Sequence, residues 1–273
     1  MIRIILLIAG AMIFTSCYKI DSKTYKATGY NERVRFIVLH YTAIDTDRSI
    51  RVLTQGKVSS HYLVTDKRWD SIYQLVPLEK RAWHAGISEF AGRTNLNDNS
   101  IGIEIVNKGY KKTVVDLDTE NEVKNIANRE FYPYEDYQIK KIGRLLRELV
   151  KEYKISPKNI LGHSDIAPTR KQDPGPMFPW EQLYREYGVG AWYEVEDFHK
   201  FYDQELYEKY SEADIQMELR RYGYGIKISG ENDGETIKVI GAFQSHFRPA
   251  RVTGEIDLET FAILKALNKK YSL

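Results

Sequence analysis

The chain has 273 residues, with 40 lysines and arginines against 38 aspartates and glutamates, so its net charge is +2 and its length fits one or two domains. That balance excludes a strong electrostatic pull toward nucleic acid, and no nucleic-acid partner is expected. The apolar fraction of 42% is that of an ordinary globular protein, and the single cysteine, Cys17, excludes an intrachain disulfide.

Met1-Ile2-Arg3 is a short basic start, and Ile4 to Phe14 is an apolar run too short to span a bilayer. Ser16 places a small residue directly before Cys17. The arrangement resembles a bacterial lipoprotein signal over residues 1–16, cut before Cys17, whose thiol then carries the lipid. An ordinary signal peptide, or an uncleaved anchor with an incidental cysteine, is the alternative. Export is expected in either case. The lipoprotein reading puts the protein on a membrane, at the outer membrane facing the periplasm. Residues 17–31 lack periodicity and are read as a tether.

Val34 to His40 is rich in β-branched residues and predicts a buried strand ending in a histidine. Thr46 to Gln55 predicts a helix stopped by Gly56, and Val58–Thr65 and Ile72–Val76 predict two strands joined by a polar turn. Trp83-His84-Ala85-Gly86 opens a loop rich in Gly, Asn and Ser that runs to Ser100. Ile101 to Val106 predicts another strand, in which Glu104 is a carboxylate among apolar neighbours, costly to bury without a use. Strict alternation puts Glu104 with Gly102 and Val106, opposite Ile101, Ile103 and Ile105, on a face free to open onto a site.

Residues 107–133 are polar and are read as an insertion or lid. From Glu135 to Lys154 the apolar residues Ile139, Ile142, Leu146, Leu149 and Tyr153 recur at three- and four-residue steps, predicting an amphipathic helix. Ile160-Leu161-Gly162 then leads into His163 and a loop broken by Pro168 and Pro174, which exclude a continuous helix or central strand. Glu181 to Tyr187 predicts a closing helix.

The remainder differs in texture. Ser211 and Asp214 suggest a capping box for a helix through Tyr222. Two copies of a G-E-x-D-x-E-T pattern, at Gly230–Thr236 and Gly254–Thr260, each precede an apolar helical run. Residues 200–273 therefore predict a small three-helix domain, from which no catalytic residue is expected.

Of the six histidines, His199 and His246 are read as surface or packing residues and His61 as structural. His40, His84 and His163 lie at strand ends or loop starts. Were a metal present, His40, His163 and Asp173 could supply the three N/O ligands of a catalytic zinc site, whose bound water becomes acidic near neutral pH. Glu104 would suit a general base, and Lys171, two residues before Asp173, would suit the oxyanion of a tetrahedral intermediate. The spacing alone does not fix this assignment.

Val38-Leu39-His40-Tyr41-Thr42-Ala43, Trp83-His84-Ala85-Gly86, Gly102-Ile103-Glu104 and the run from Gly162 to Gly175 together resemble the zinc-dependent N-acetylmuramoyl-L-alanine amidases of the AmpD/AmiD type, over residues 32–187. The resemblance implies an α/β fold, a mixed β-sheet flanked by helices, in residues 32–190. It implies zinc held by His40, His163 and Asp173, with Glu104 as general base and Lys171 stabilising the transition state. It also implies that His84, at the cleft rim, and Arg170 bind substrate. The C-terminal repeat resembles a three-helix peptidoglycan-binding domain. The expected activity is hydrolysis of the amide between N-acetylmuramic acid, or its anhydro form, and L-alanine of the stem peptide. Peptidoglycan or muropeptides are then the partners, with the membrane reached through Cys17 and no protein partner implied. A non-catalytic peptidoglycan-binding protein on the same scaffold, and a zinc endopeptidase cutting within the stem, are the competing readings.

Overall fold

The computed structural model describes residues 20–29, 32–111 and 129–272. The proposed signal, Cys17 and most of the proposed lid (112–128) lie outside the described residues. Residues 1–32 and 33–273 are separate compact units. In the first, residues 20–29 contain no helix or strand, and Asp21 accepts the backbone N–H groups of Lys23 and Thr24.

In the second unit five strands form one sheet in the order β3-β2-β6-β1-β7. They are β1 (Phe36–Tyr41), β2 (Tyr62–Val64), β3 (Tyr73–Gln74), β6 (Ser100–Ile105) and β7 (Ile160–Gly162). β2, β6, β1 and β7 run parallel and β3 closes the edge antiparallel, so the sheet is mixed as expected. β4 (Glu89–Phe90) and β5 (Arg93–Thr94) form a separate small hairpin within the loop after His84. β2 and β3 are shorter than their apolar runs predict. The segment before β2 spends its backbone elsewhere: Ser59 N–H donates to the Trp83 carbonyl, and the Trp83 N–H to Ser59 Oγ.

α1 (Thr46–Gln55) is capped by Asp45, and α2 (Asp136–Tyr153) by Glu135 in a capping box with Gln138. The predicted stripe of α2 is buried at Ile139, Ile142, Leu146 and Leu149, continuous with a core in which Ile37, Val38 and Leu39 of β1 and Ile101, Ile103 and Ile105 of β6 are all sealed from solvent. Central parallel strands covered on both faces need such near-continuous apolar runs. α3 (His163–Ile166) is a single turn, and α4 (Trp180–Tyr187) packs against α2.

The C-terminal part holds the three predicted helices, α7 (Glu212–Tyr222), α8 (Gly234–Phe247) and α9 (Leu258–Tyr271), preceded by two short ones, α5 (Val195–Phe201) and α6 (Gln204–Tyr207). The sequence repeat is a structural repeat. Asp233 and Asp257 are the N-caps of α8 and α9, accepting the N–H of Thr236 and Thr260. Each loop closes over a buried glutamine. Gln216 donates to Ser229, the Glu231 carbonyl and Thr236, while Gln244 donates to Thr253, the Glu255 carbonyl and Thr260.

Candidate active site

Sheet topology places the chemistry. In an open parallel sheet the carboxyl ends of adjacent strands form the natural crevice. β1 and β6 are in register with His40 opposite Glu104, and Leu39 is opposite Gly162 of β7, so His163 follows in the same row. Residues far apart in sequence thus reach one edge through three neighbouring strands. The loop after His163 brings Asp173 back to it. The Ser164 N–H donates to the Asp173 carbonyl (2.9 Å), and Tyr134 OH donates to the Pro174 carbonyl (2.8 Å). The Asp173–Pro174 peptide is cis. A Cβ on Gly162 would lie 2.6 Å from Pro174 Cδ, so glycine is needed where the loop folds back on the strand.

His40 Nδ1, His163 Nδ1 and Asp173 Oδ2 converge at 3.0, 3.0 and 3.1 Å from one another, all three residues buried. The hydrogens around them decide what these atoms offer. Ser100 Oγ donates its one proton to the Leu96 carbonyl (2.5 Å), so at its other contact it accepts from His84 Nε2 (3.1 Å). Burial, then the charge of His40, holds His84 well below its usual pKa, so its ring is neutral and Nδ1 is an acceptor. His40 Nε2–H therefore donates to it at 3.0 Å, leaving His40 Nδ1 a bare lone pair. His40 itself is lowered to about 4 by burial and by the charge of His163. His163 Nε2–H donates to the Ala85 carbonyl at 3.0 Å, which frees its Nδ1 as well. Three acceptors at this spacing repel one another unless a cation sits among them, and two imidazoles with a carboxylate are a donor set that suits zinc.

Glu104 opens onto a cavity of about 420 Å³ that His40, His163, Asp173, Lys171 and Trp83 also line. Its Oε2 is sealed from solvent and has no hydrogen-bond partner among the described residues. Burial and the charge of Asp173 push it up to about 8, against the pull of the Lys171 ammonium. Ile44, Val52, Leu53 and Val58 add apolar side chains to the cavity lining.

His84 borders the cavity but is buried behind His40, and Arg170 donates to the carbonyls of Ala85 (2.8 Å) and Ile87 (2.7 Å). His61 accepts the Gly102 N–H and contacts the Lys80 carbonyl, in keeping with a structural role. Sequence reasoning passed over Ser100. Its signal was the small face Ser100-Gly102 leading to Glu104 on alternate positions of β6, which seats the His84 ring. A Cβ on Gly102 would fall 2.4 Å from that ring. Gly102→Ala is therefore expected to destabilise the fold by roughly 1–3 kcal/mol through overpacking. It should also weaken metal binding by displacing His84. Denaturant unfolding of the metal-free variant, paired with a zinc titration, checks both, and an unchanged zinc affinity would detach His84 from the metal centre.

A buried two-histidine, one-carboxylate set beside a second, largely desolvated carboxylate, at the carboxyl edge of a mixed sheet, defines the class of a metal-dependent hydrolase. The chain belongs to the N-acetylmuramoyl-L-alanine amidase family, which it matches over residues 30–176, and residues 213–264 match the peptidoglycan binding domain family. It is 39% identical to the N-acetylmuramoyl-L-alanine amidase AmiD of Escherichia coli over 98% of each chain. Among solved structures, AmiD from E. coli, in complex with the substrate anhydro-N-acetylmuramic acid-L-Ala-D-gamma-Glu-L-Lys, superposes with a TM-score of 0.80 at 40% identity, covering 93% of this chain and 95% of that one. AmpDH3 from Pseudomonas aeruginosa superposes with a TM-score of 0.82 at 41% identity, covering 93% and 99%.

Proposed function

We propose that this chain is an exported zinc amidase that cleaves the amide between N-acetylmuramic acid, in particular its anhydro form, and L-alanine of stem peptides in cell-wall turnover or recycling. The observation that carries the reading is the single row of His40, Glu104 and His163 across three strands, with Asp173 folded back onto it. His40, His163 and Asp173 are the residues that would hold a zinc ion. Zinc there would supply Lewis acidity toward the scissile carbonyl and would make the attacking water more acidic. Glu104 takes the proton of the attacking water and hands it to the leaving amine of L-alanine. Lys171 brings positive charge to the carbonyl oxygen as it becomes an oxyanion. Ser100 and His84 orient His40 by fixing its tautomer, and Arg170 holds the Ala85 loop against which His163 is set. The substrate-binding role read for His84 and Arg170 is compatible with both positions, since each also faces the cavity.

Mass analysis of products from anhydro-N-acetylmuramic acid-L-Ala-D-gamma-Glu-L-Lys tests the assignment. The expected result is release of the intact tripeptide with a free L-alanine amine, lost on chelation and restored by added zinc. Cleavage within the stem would favour the endopeptidase reading, and no cleavage by zinc-loaded protein would favour the binding protein.

The membrane assignment rests on residues 1–17, where a basic start, a short apolar run and Ser16-Cys17 stand in lipoprotein order. No helix among the described residues is long and apolar enough to cross a membrane. Anchoring by a lipid on Cys17 at the outer membrane predicts that Cys17→Ser moves the protein from the membrane fraction to the soluble fraction. A variant that stays with the membrane would refute the anchor.

A further inference from the structure

The loop that carries His163 is held from behind by the C-terminal helices. Asp165, two residues beyond His163, is fully buried. Its Oδ2 accepts the Gly162 N–H (2.7 Å), fixing the turn from β7 into α3, and also contacts His246 Nδ1 of α8 at 2.7 Å. Its Oδ1 accepts Tyr224 OH, just after α7, at 2.6 Å. A buried carboxylate is tolerated only when its lone pairs are met, and two of the three partners here come from the C-terminal part.

His246 is itself confined. Its ring stacks on Trp180 of α4 at 3.8 Å between centroids and lies against Phe247 at 3.9 Å, both near parallel. Its Nε2 is buried with no partner, so the contact with Asp165 is its one polar tie among the described residues. Beside Tyr224, the Gly223 carbonyl accepts the Ala91 N–H (2.7 Å), and Tyr224 bridges to Phe90 in the hairpin that follows the His84–Ala85 loop. The C-terminal part therefore grips both segments that set His163: the turn it stands on, and the loop whose Ala85 carbonyl receives its Nε2 proton.

We propose that Tyr224 and His246 are positioning residues for the metal centre, acting through Asp165 to hold His163 in ligating geometry. The C-terminal helices are then a structural part of the catalytic centre, beyond any hold on peptidoglycan. The proposal rests on the reading of His163 as a zinc ligand. Partners bonded directly to a metal ligand are worth about 10–100-fold in metal affinity, and Tyr224 and His246 act one step further out, through Asp165 and the turn on which His163 stands, so their effect is expected to be smaller.

The test uses the full chain with Tyr224→Phe, which removes one oxygen, and His246→Leu, with His246→Asn as the variant that keeps a donor near Nδ1. Zinc affinity is measured by chelator competition. Melting temperature is followed with and without zinc, and kcat and KM are taken on the anhydromuramoyl tripeptide. Tyr224→Phe and His246→Leu are expected to weaken zinc binding by up to about tenfold and to lower kcat with little change in KM. The zinc-induced rise in melting temperature should shrink, and His246→Asn should recover part of each loss. Zinc affinity equal to that of the unaltered protein, with only a lower metal-free melting temperature, would reduce Tyr224 and His246 to packing and overturn the proposal. If the unaltered protein itself binds no zinc, the assignment of His163 falls, and this proposal with it.

Discussion

Glu104→Gln is expected to leave zinc bound at one equivalent while lowering kcat on the anhydromuramoyl tripeptide by roughly 10²–10⁴-fold, the range general-base catalysis supplies. The substitution keeps the shape and polarity of the side chain and removes only its ability to take a proton. None of the three converging ligand atoms hydrogen-bonds to Glu104, so the metal set survives. Metal content by atomic absorption, measured on the sample used for kinetics, separates the two effects. Turnover close to that of the unaltered enzyme would remove Glu104 from the mechanism.

The same variant reveals what the base costs the fold. The carboxyl ionises near 4.5 as a free group but near 8 in the folded, metal-free protein. Between those values the folded state holds a proton that the unfolded state releases, so stability falls as pH rises through this window. Glutamine has no proton to lose. Metal-free Glu104→Gln should therefore match the unaltered protein near the acid end of the window and exceed it by a few kcal/mol at its alkaline end. Melting curves from mildly acid to mildly alkaline pH test the sign, and a gap that widened toward acid would contradict it. A cation between His40, His163 and Asp173 would pull the pKa of Glu104 back down. The base is then fully available only when the metal is in place.

Local rules marked the candidates at the sheet edge one by one, and the resemblance to the amidases joined them into a single set. His40 and Glu104 are polar groups in runs that otherwise read as buried strands, and His163 and Asp173 end a loop too interrupted by proline to be an ordinary element. Such violations cluster at sites. The helices from 136 and 212 were equally legible, since caps and periodicity are short-range signals. What escaped was long-range pairing. Asp165 lies in the conspicuous run after Gly162 yet had no visible job, because its partners are 59 and 81 residues away at Tyr224 and His246. His246 read as a packing residue, and it does pack, on Trp180 and Phe247. Its polar contact depends on how α8 meets α3, which no local pattern encodes. The shortening of β2 has the same origin, in backbone bonds to Trp83 that no periodicity reports.

Asp173→Asn is the counterpart to the base variant and should fail in the opposite way, by losing the metal. Asp173 is the one charged member of the ligand set, and its carboxylate both attracts the cation and stands within hydrogen-bonding reach of both histidines. Asparagine keeps the volume, and the fold of the loop does not depend on the charge: the Ser164 N–H bonds the backbone carbonyl, and Pro174 seats on Gly162 whichever side chain precedes it. The variant should therefore fold. Its zinc affinity should drop by more than about a hundredfold, since even partners outside the ligand set are worth 10–100-fold. Activity should vanish at trace zinc and return only in part with excess metal. A second consequence follows from the charge. Asp173 helps to raise Glu104, so in the metal-free variant Glu104 should titrate lower and the alkaline stability gap to its glutamine counterpart should narrow. Chelator competition measures the first effect, and melting of Asp173→Asn beside the Asp173→Asn/Glu104→Gln double variant measures the second. An Asp173→Asn protein that held zinc as tightly as the unaltered chain would show that the carboxylate is no ligand, and the pairing of base and metal at this edge would have to be drawn again around a different residue.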